Sequence, residues 1–329
     1  MPSLQTTYLG LALKNPLIAS SSPLTSSLNS ARQLEEAGVG AIVVRSIFEE
    51  QIRQEVESMY DALAESGSSA AMDYLRADLP MQLGPEKYVA NLQALRKGLS
   101  IPVIASINCI ASDQWVSFAR KIQHAGADAL ELNVYDIPDD PTVDSAAVEA
   151  RHEALVSAIL AEVSIPVTVK LSPYYAGLAN FAKRLNRLEV KGLVLFNRFL
   201  QPDIDVETMQ LLYQVHLSHP DDLRLPLRWV AILRNLVGCD LALSSGVHDA
   251  NAAIKALLVG ANAVYLCSAL YRKPTGSAIQ EILKGLEAWM ERHSFATVQD
   301  FRGRMREDAL GDGQGFERAH YVRLVSKTE

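Results

Sequence analysis

Three asparagines, a lysine and an arginine, each at the end of a short apolar run, are the residues whose types and spacing point to chemistry. They are Asn108 in "PVIASIN", Asn133 in "ALELNV", Asn197 in "GLVLFN", Lys170 in "PVTVKLS" and Arg45 in "AIVVRS". Taken alone, an amide at the end of a strand is ordinarily a turn cap. The other runs end in polar groups as well: Ser20, Ser21 and Ser22 after "PLIAS", Ser46 after Arg45, Ser245 and Gly246 after "DLALSS", and Cys267 and Ser268 after "AVYL". Brought to one centre, such amides and cations suit a large heteroatom-rich ring carrying an anion. No histidine or carboxylate cluster sits at these positions, so no metal is expected.

The elements that must position these groups are eight runs rich in Val, Ile and Leu. They span 16–20, 41–46, 102–108, 129–134, 166–172, 192–197, 240–245 and 263–268. They lack a clean polar alternation, as strands buried on both faces do in a parallel sheet. Amphipathic stretches at 26–38, 113–126 and 248–260 begin with polar residues and end at a glycine, matching helix start and stop signals. Three of the helix-to-strand joins repeat a pattern: "AGVGAIVV", "AGADALEL" and "VGANAVYL". Strands alternating with helices eight times predict an α/β chain folded as a (β/α)8 barrel. A doubly wound sheet is the alternative, but "IASSSPLT" lacks the G-x-G-x-x-G that would follow its first strand. The leading "TTYLGLALKNP" predicts a hairpin closing the bottom of the barrel. Residues 47–100 are too long for a plain connection and are expected to be an insertion covering the top. No linker divides residues 1–329, so one domain is expected.

Composition narrows the function. Of 329 residues 49% are hydrophobic and 21% charged, and the net charge is −7 with no basic run. Nucleic acid is therefore not an expected partner. Neither a signal-peptide pattern nor an apolar run of membrane length is present, so a soluble cytoplasmic protein is expected. Three scattered cysteines form neither a disulfide framework nor a zinc pattern.

In a barrel, chemistry gathers at the C-terminal ends of the strands, and the last two βα loops ordinarily hold phosphate. "SSGVHDA", with Asp249 as the helix cap, and "CSALYRK" read as two such turns. A phosphorylated ring cofactor over the barrel mouth fits. Flavin mononucleotide (FMN) is the first candidate and a sugar-phosphate substrate the second.

These segments in this order resemble the dihydroorotate dehydrogenases. The likeness runs from "NPLIASSS" to "VQDFRGR" through "LELNV", "PVTVKLSPYY", "VLFNR" and "SSGVHDANAAIKALLVGANAVYLCSALY". The barrel begins by residue 17 without a helical pair for membrane docking, which resembles the soluble class-1 enzymes. The resemblance implies FMN, a dihydropyrimidine substrate and a homodimer. It implies that Lys170 reaches the pyrimidine edge of the flavin and that Asn108 and Ser20–Ser22 contact it. Arg45 and Ser46 match flavin-side positions where the family has Lys and Ser or Thr. Ser245–Gly246 and Cys267–Ser268 match the phosphate turns. The family more often has Gly-Gly at the first, and Ser245 is acceptable there only if no positive φ is required. Asn133 and Asn197 match the amides that bind the substrate ring.

Two departures stand out. In the family a Cys or Ser three residues after the strand-four Asn removes the proton from substrate C5, while a hydride leaves C6 for flavin N5. Here that position is Asp136. It is either a carboxylate base or a turn residue of "YDIPDDP". The family's N-S-M-G-L-P-N stretch has no recognisable counterpart in "SAAMDYLRADLPMQLGPEKY", where Arg76 is the one candidate anion contact. The functions consistent with the residues are an FMN-dependent oxidoreductase acting on dihydroorotate or a close dihydropyrimidine, a related FMN enzyme acting on another dihydropyrimidine or an enoate, a degenerate flavin-binding paralogue, and a flavin-free phosphate-binding aldolase or isomerase barrel.

Overall fold

A computed structural model describes residues 2–48, 80–108, 113–198, 201–212, 216–273, 276–306 and 316, with side chains omitted for 80–85 and 113–114. Eight parallel strands close on themselves: β3 (Leu17–Ala19), β4 (Ala41–Val43), β6 (Val103–Asn108), β7 (Ala129–Asn133), β8 (Val167–Leu171), β9 (Gly192–Leu195), β12 (Asp240–Ser244) and β13 (Ala263–Leu266). Closure is made by β13 pairing with β3 and by β4 pairing with β6. The expected (β/α)8 barrel is therefore the observed fold, and each strand lies inside its expected run. A two-residue strand β5 (Ile47–Phe48) extends the second strand along β6.

Helices α1 (Leu28–Ala37), α2 (Pro80–Gly98), α3 (Asp113–His124), α4 (Ser145–Leu160), α5 (Leu178–Arg187), α6 (Arg224–Leu233), α7 (Ala250–Leu258), α8 (Ser268–Arg272) and α9 (Ser277–Arg292) lie between or after the strands. Local chemistry sets their ends. Ser27 caps α1 by accepting from the Ser30 N–H, and Asp249 caps α7 through the Ala252 N–H. The three repeated joins place Gly38, Gly126 and Gly260 at φ of +112°, +91° and +109°, which a side chain would strain.

Helix α2 packs against α1, α3 and β6 as the outer helix of the second βα unit. The latter part of the expected 47–100 insertion is thus ordinary barrel wall. Residues 49–79, Arg76 among them, lie outside the described residues.

The hairpin β1 (Thr6–Tyr8) and β2 (Leu11–Leu13) turns through Leu9 and Gly10 at φ of +55° and +79°. Its Tyr8, Leu9 and Leu13 are buried in one cluster with Ile18, Val43, Ile104, Val194 and Ala242 from the barrel interior. Asp240 fixes it there: one carboxylate oxygen accepts from the Leu9 N–H at 2.7 Å and the other from Asn262 at 2.6 Å. The expected closing of the barrel bottom is what the hairpin does. A second antiparallel hairpin, β10 (Asp203–Asp205) with β11 (Gln210–Leu212), was not expected from the sequence.

Candidate active site

Strand register lines up the polar groups. Asn108 pairs in register with Asn133, and Asn133 with Lys170, on three adjacent strands. Side chains two residues apart share a face of a strand. The layer below therefore carries Ser106, Glu131 and Thr168, also in register. All six are buried. The backbone ladder continues past the strand ends, with the Asn197 N–H bonded to the Leu171 carbonyl at 2.7 Å. Asn197 is thereby held beside Asn133, and its amide donates to the Asn133 carbonyl oxygen at 2.7 Å. That bond leaves the Asn133 N–H pair and the Asn197 carbonyl as a donor and an acceptor side by side.

Above these layers opens a cavity of about 1170 Å³. It exceeds the roughly 300–1,000 Å³ of ordinary ligand pockets, which leaves room for a cofactor and a substrate together. Ser20, Ser21, Ser22, Lys170, Asn197, Ser245, Gly246, Cys267 and Ser268 all line it, so these expected site residues converge on one space. Burial pushes the Cys267 thiol above its usual range, with Lys170 and Arg198 pulling the other way. Asn108 is buried at the end of β6, and its amide nitrogen has no hydrogen-bond partner among the described residues. An unsatisfied buried donor in the row that runs from Asn108 through Asn133 to Lys170 is what a bound ring acceptor would complete, and on this observation the residues fit an isoalloxazine.

At the turn after β12, Gly246 has φ +73°, and a Cβ there would lie 2.1 Å from the Leu223 backbone nitrogen. Ser245 has φ +84°. The condition set for this serine, that no positive φ be required, is not met: the turn does demand one, and a non-glycine residue is strained there. The buried Ser218 sits against both phosphate-type turns. Its N–H donates to Ser268 Oγ at 2.8 Å, and its Oγ accepts from the Gly246 N–H at 3.4 Å. Arg272 donates to the Ser218 carbonyl at 3.1 Å, and His248 contacts its hydroxyl at 3.1 Å. Burial, with Arg272 nearby, lowers the His248 pKa.

Five expected residues do not line this cavity, and two of them, Asn108 and Asn133, are buried at the ends of β6 and β7. Arg45 is exposed and does not line the cavity. Ser46 is buried one shell back, hydrogen-bonded to Ser21 at 3.0 Å and Ser106 at 2.7 Å. Asp136 lies in a side pocket of about 210 Å³ that shares Tyr174 with the main cavity. Its carboxylate is held by Arg151 and by His152 Nε2, the latter at 3.1 Å. His152 Nδ1 meets the Tyr175 hydroxyl at 3.0 Å. A neutral imidazole satisfies both contacts, donating from Nε2 to the carboxylate and accepting at Nδ1 from the phenol. Burial lowers the His152 pKa, against the pull of Asp136, in keeping with that neutral form.

Glu131, Ser106, Ser218 and His152 were not singled out from the sequence. Glu131 had a signal: a carboxylate in the middle of a run buried on both faces is rare unless paired. Ser218 and His152 had none, because their partners come from other segments.

A family model described as dihydroorotate dehydrogenase matches residues 3–290. Similar proteins include the catalytic subunits of dihydroorotate dehydrogenase B (NAD(+)) from three organisms. That of Thermoplasma acidophilum is 26% identical over 313 residues, covering 92% of this chain and 99% of the relative. That of Methanosarcina acetivorans is 27% identical over 310 residues, covering 91% and 94%. That of Bacillus mycoides is 25% identical over 313 residues, covering 92% and 97%. With the barrel, the convergent strand ends and a match over most of its length, the chain belongs to the dihydroorotate dehydrogenase family.

Proposed function

We propose that the chain is an FMN-dependent oxidoreductase that oxidises dihydroorotate to orotate in pyrimidine biosynthesis, as a cytoplasmic homodimer built on one barrel domain. The observation that carries this reading is a cavity large enough for two ligands and lined by Lys170 and Asn197, with Asn133 hydrogen-bonded to Asn197 and in register between Lys170 and Asn108. Bound FMN would supply the N5 position that accepts a hydride from substrate C6. Lys170 and Asn108 would hold its pyrimidine edge, Ser20–Ser22 its flank, and the turns at Ser245–Gly246 and Cys267–Ser268 its phosphate. A cation at Lys170 favours negative charge on the ring by preorganised electrostatics. The Asn133 donor and Asn197 acceptor match the alternating N–H and C=O edge of a cyclic ureide.

Asp136 is the residue proposed to take the C5 proton. For that its carboxylate must turn from Arg151 and His152 toward the main cavity, which adjoins its side pocket at Tyr174. Its present pairing favours a second reading, in which the substrate is another dihydropyrimidine or an enoate. Single-turnover product analysis separates the two. Under anaerobic conditions the first reading predicts one orotate per flavin, and at least a hundredfold slower formation in Asp136→Asn with flavin retained. Flavin-loaded protein that forms no orotate contradicts the first reading. Unchanged rates in Asp136→Asn remove that residue from the chemistry.

A further inference from the structure

Glu131 is a fully buried carboxylate in the barrel interior, one layer below the cavity floor. Its Oε1 lies 3.9 Å from Lys170 Nζ and accepts from Ser106 Oγ at 3.4 Å. Its Oε2 has no hydrogen-bond partner among the described residues. The titratable groups around it come from four other elements: Lys170 on β8, Tyr265 on β13, Tyr8 on the hairpin and Tyr88 on α2. Burial raises all three tyrosines, which leaves them neutral, so Lys170 is the one cation in the set. From Ser106 a hydroxyl chain leads outward, to Ser46 at 2.7 Å and then to Ser21 at 3.0 Å, and Ser21 lines the cavity. Each hydroxyl both donates and accepts, so the chain can pass a proton between the cavity and Glu131.

We propose that Glu131 is a redox-linked proton site: it takes up one proton from solvent through Ser21, Ser46 and Ser106 when the flavin over Lys170 is reduced, and returns it on reoxidation. The inference rests on the FMN reading above. With the site oxidised, the Glu131 carboxylate balances the Lys170 ammonium. Hydride delivery, two electrons and one proton, adds one negative charge above Lys170. Two anions would then share one buried cation, a costly arrangement at low dielectric. Formation of an O–H bond on Glu131 removes one of them and frees Lys170 to face the ring. Each reduction thus consumes two electrons and two protons, one on the flavin and one on the protein. An unpaired Oε2 is the place for that second proton. Burial already holds the Glu131 carboxyl above its usual range, opposed by Lys170, so added negative charge nearby acts in the same direction as burial. Glu131 touches neither substrate nor ring; it acts through Lys170 as a positioning residue.

The test is the flavin midpoint potential of the holoprotein, measured against pH between about pH 6 and 9. For a two-electron couple each proton contributes about 30 mV per pH unit. The wild-type protein is expected to show a two-proton slope over part of that range, and Glu131→Gln a one-proton slope, a twofold difference. A one-proton slope throughout in the wild type overturns the proposal without any variant. Equal two-proton slopes in both proteins overturn it by placing the second proton elsewhere. Protein that holds no flavin overturns the FMN reading and this inference together, and is recognised at once by its spectrum.

Discussion

Ser245 holds a backbone conformation that costs an L residue energy. At φ +84° its Cβ crowds its own carbonyl, and the neighbouring Gly246 at +73° shows that the turn imposes this shape on both residues. Ser245→Gly should therefore raise stability by about 1 kcal/mol, after allowing for the extra freedom that glycine gives the unfolded chain. Urea unfolding of the two proteins measures it. A loss of stability would mean that the Ser245 hydroxyl holds the turn more firmly than the strain opposes it. The need for glycine at this position was legible in "SSGVHDA" as a turn, but its hand was not. A φ angle is set by what the turn packs against, here the 222–223 backbone 2.1 Å from the Gly246 Cβ position, and that segment is remote in sequence.

At the scale of elements, the loop after β7 is tied to α4 and the loop after β8 by Asp136, Arg151, His152 and Tyr175. His152 is almost wholly buried, and burial keeps its folded-state pKa below the ordinary 6.5. Between those two values the unfolded chain binds more protons than the folded one, so acidification favours unfolding. The His152 contribution is complete above about pH 6.5 and is lost as pH falls below it. Melting temperature followed from pH 8 to about pH 5 should thus drop, and His152→Gln should flatten the drop. An unchanged profile in the variant would assign the acid sensitivity to other groups. The strands and most helix ends were legible because they depend on local patterns: apolar runs, polar caps and terminal glycines. Helix α2 was misjudged as part of an insertion because the long 47–79 segment hides the period of the second βα unit. The hairpin β10–β11 was missed because Ile204, Val206, Met209 and Leu211 are exposed, so no burial pattern marks it.

Over the whole molecule, the barrel brings five separate polar strand ends, those of β3, β8, β9, β12 and β13, to one cavity. The sequence shows the polar ends, but only strand pairing sets Asn133 between Asn108 and Lys170, and only closure brings Ser20 to Ser268 across the β3–β13 seam. Glu131 belongs to the same geometry, two residues below Asn133 on its inward face. The substrate side was less legible. Asp136 reads as a base at the family position, and its pairing with α4 appears only when the loop is folded. In the function proposed above, this mouth binds a flavin and hands it electrons from dihydroorotate. The most direct test is the visible spectrum of the purified protein before and after anaerobic addition of dihydroorotate. A bound-flavin spectrum that bleaches is the expected result. A colourless protein, or a flavin band that dihydroorotate leaves untouched, would contradict that function.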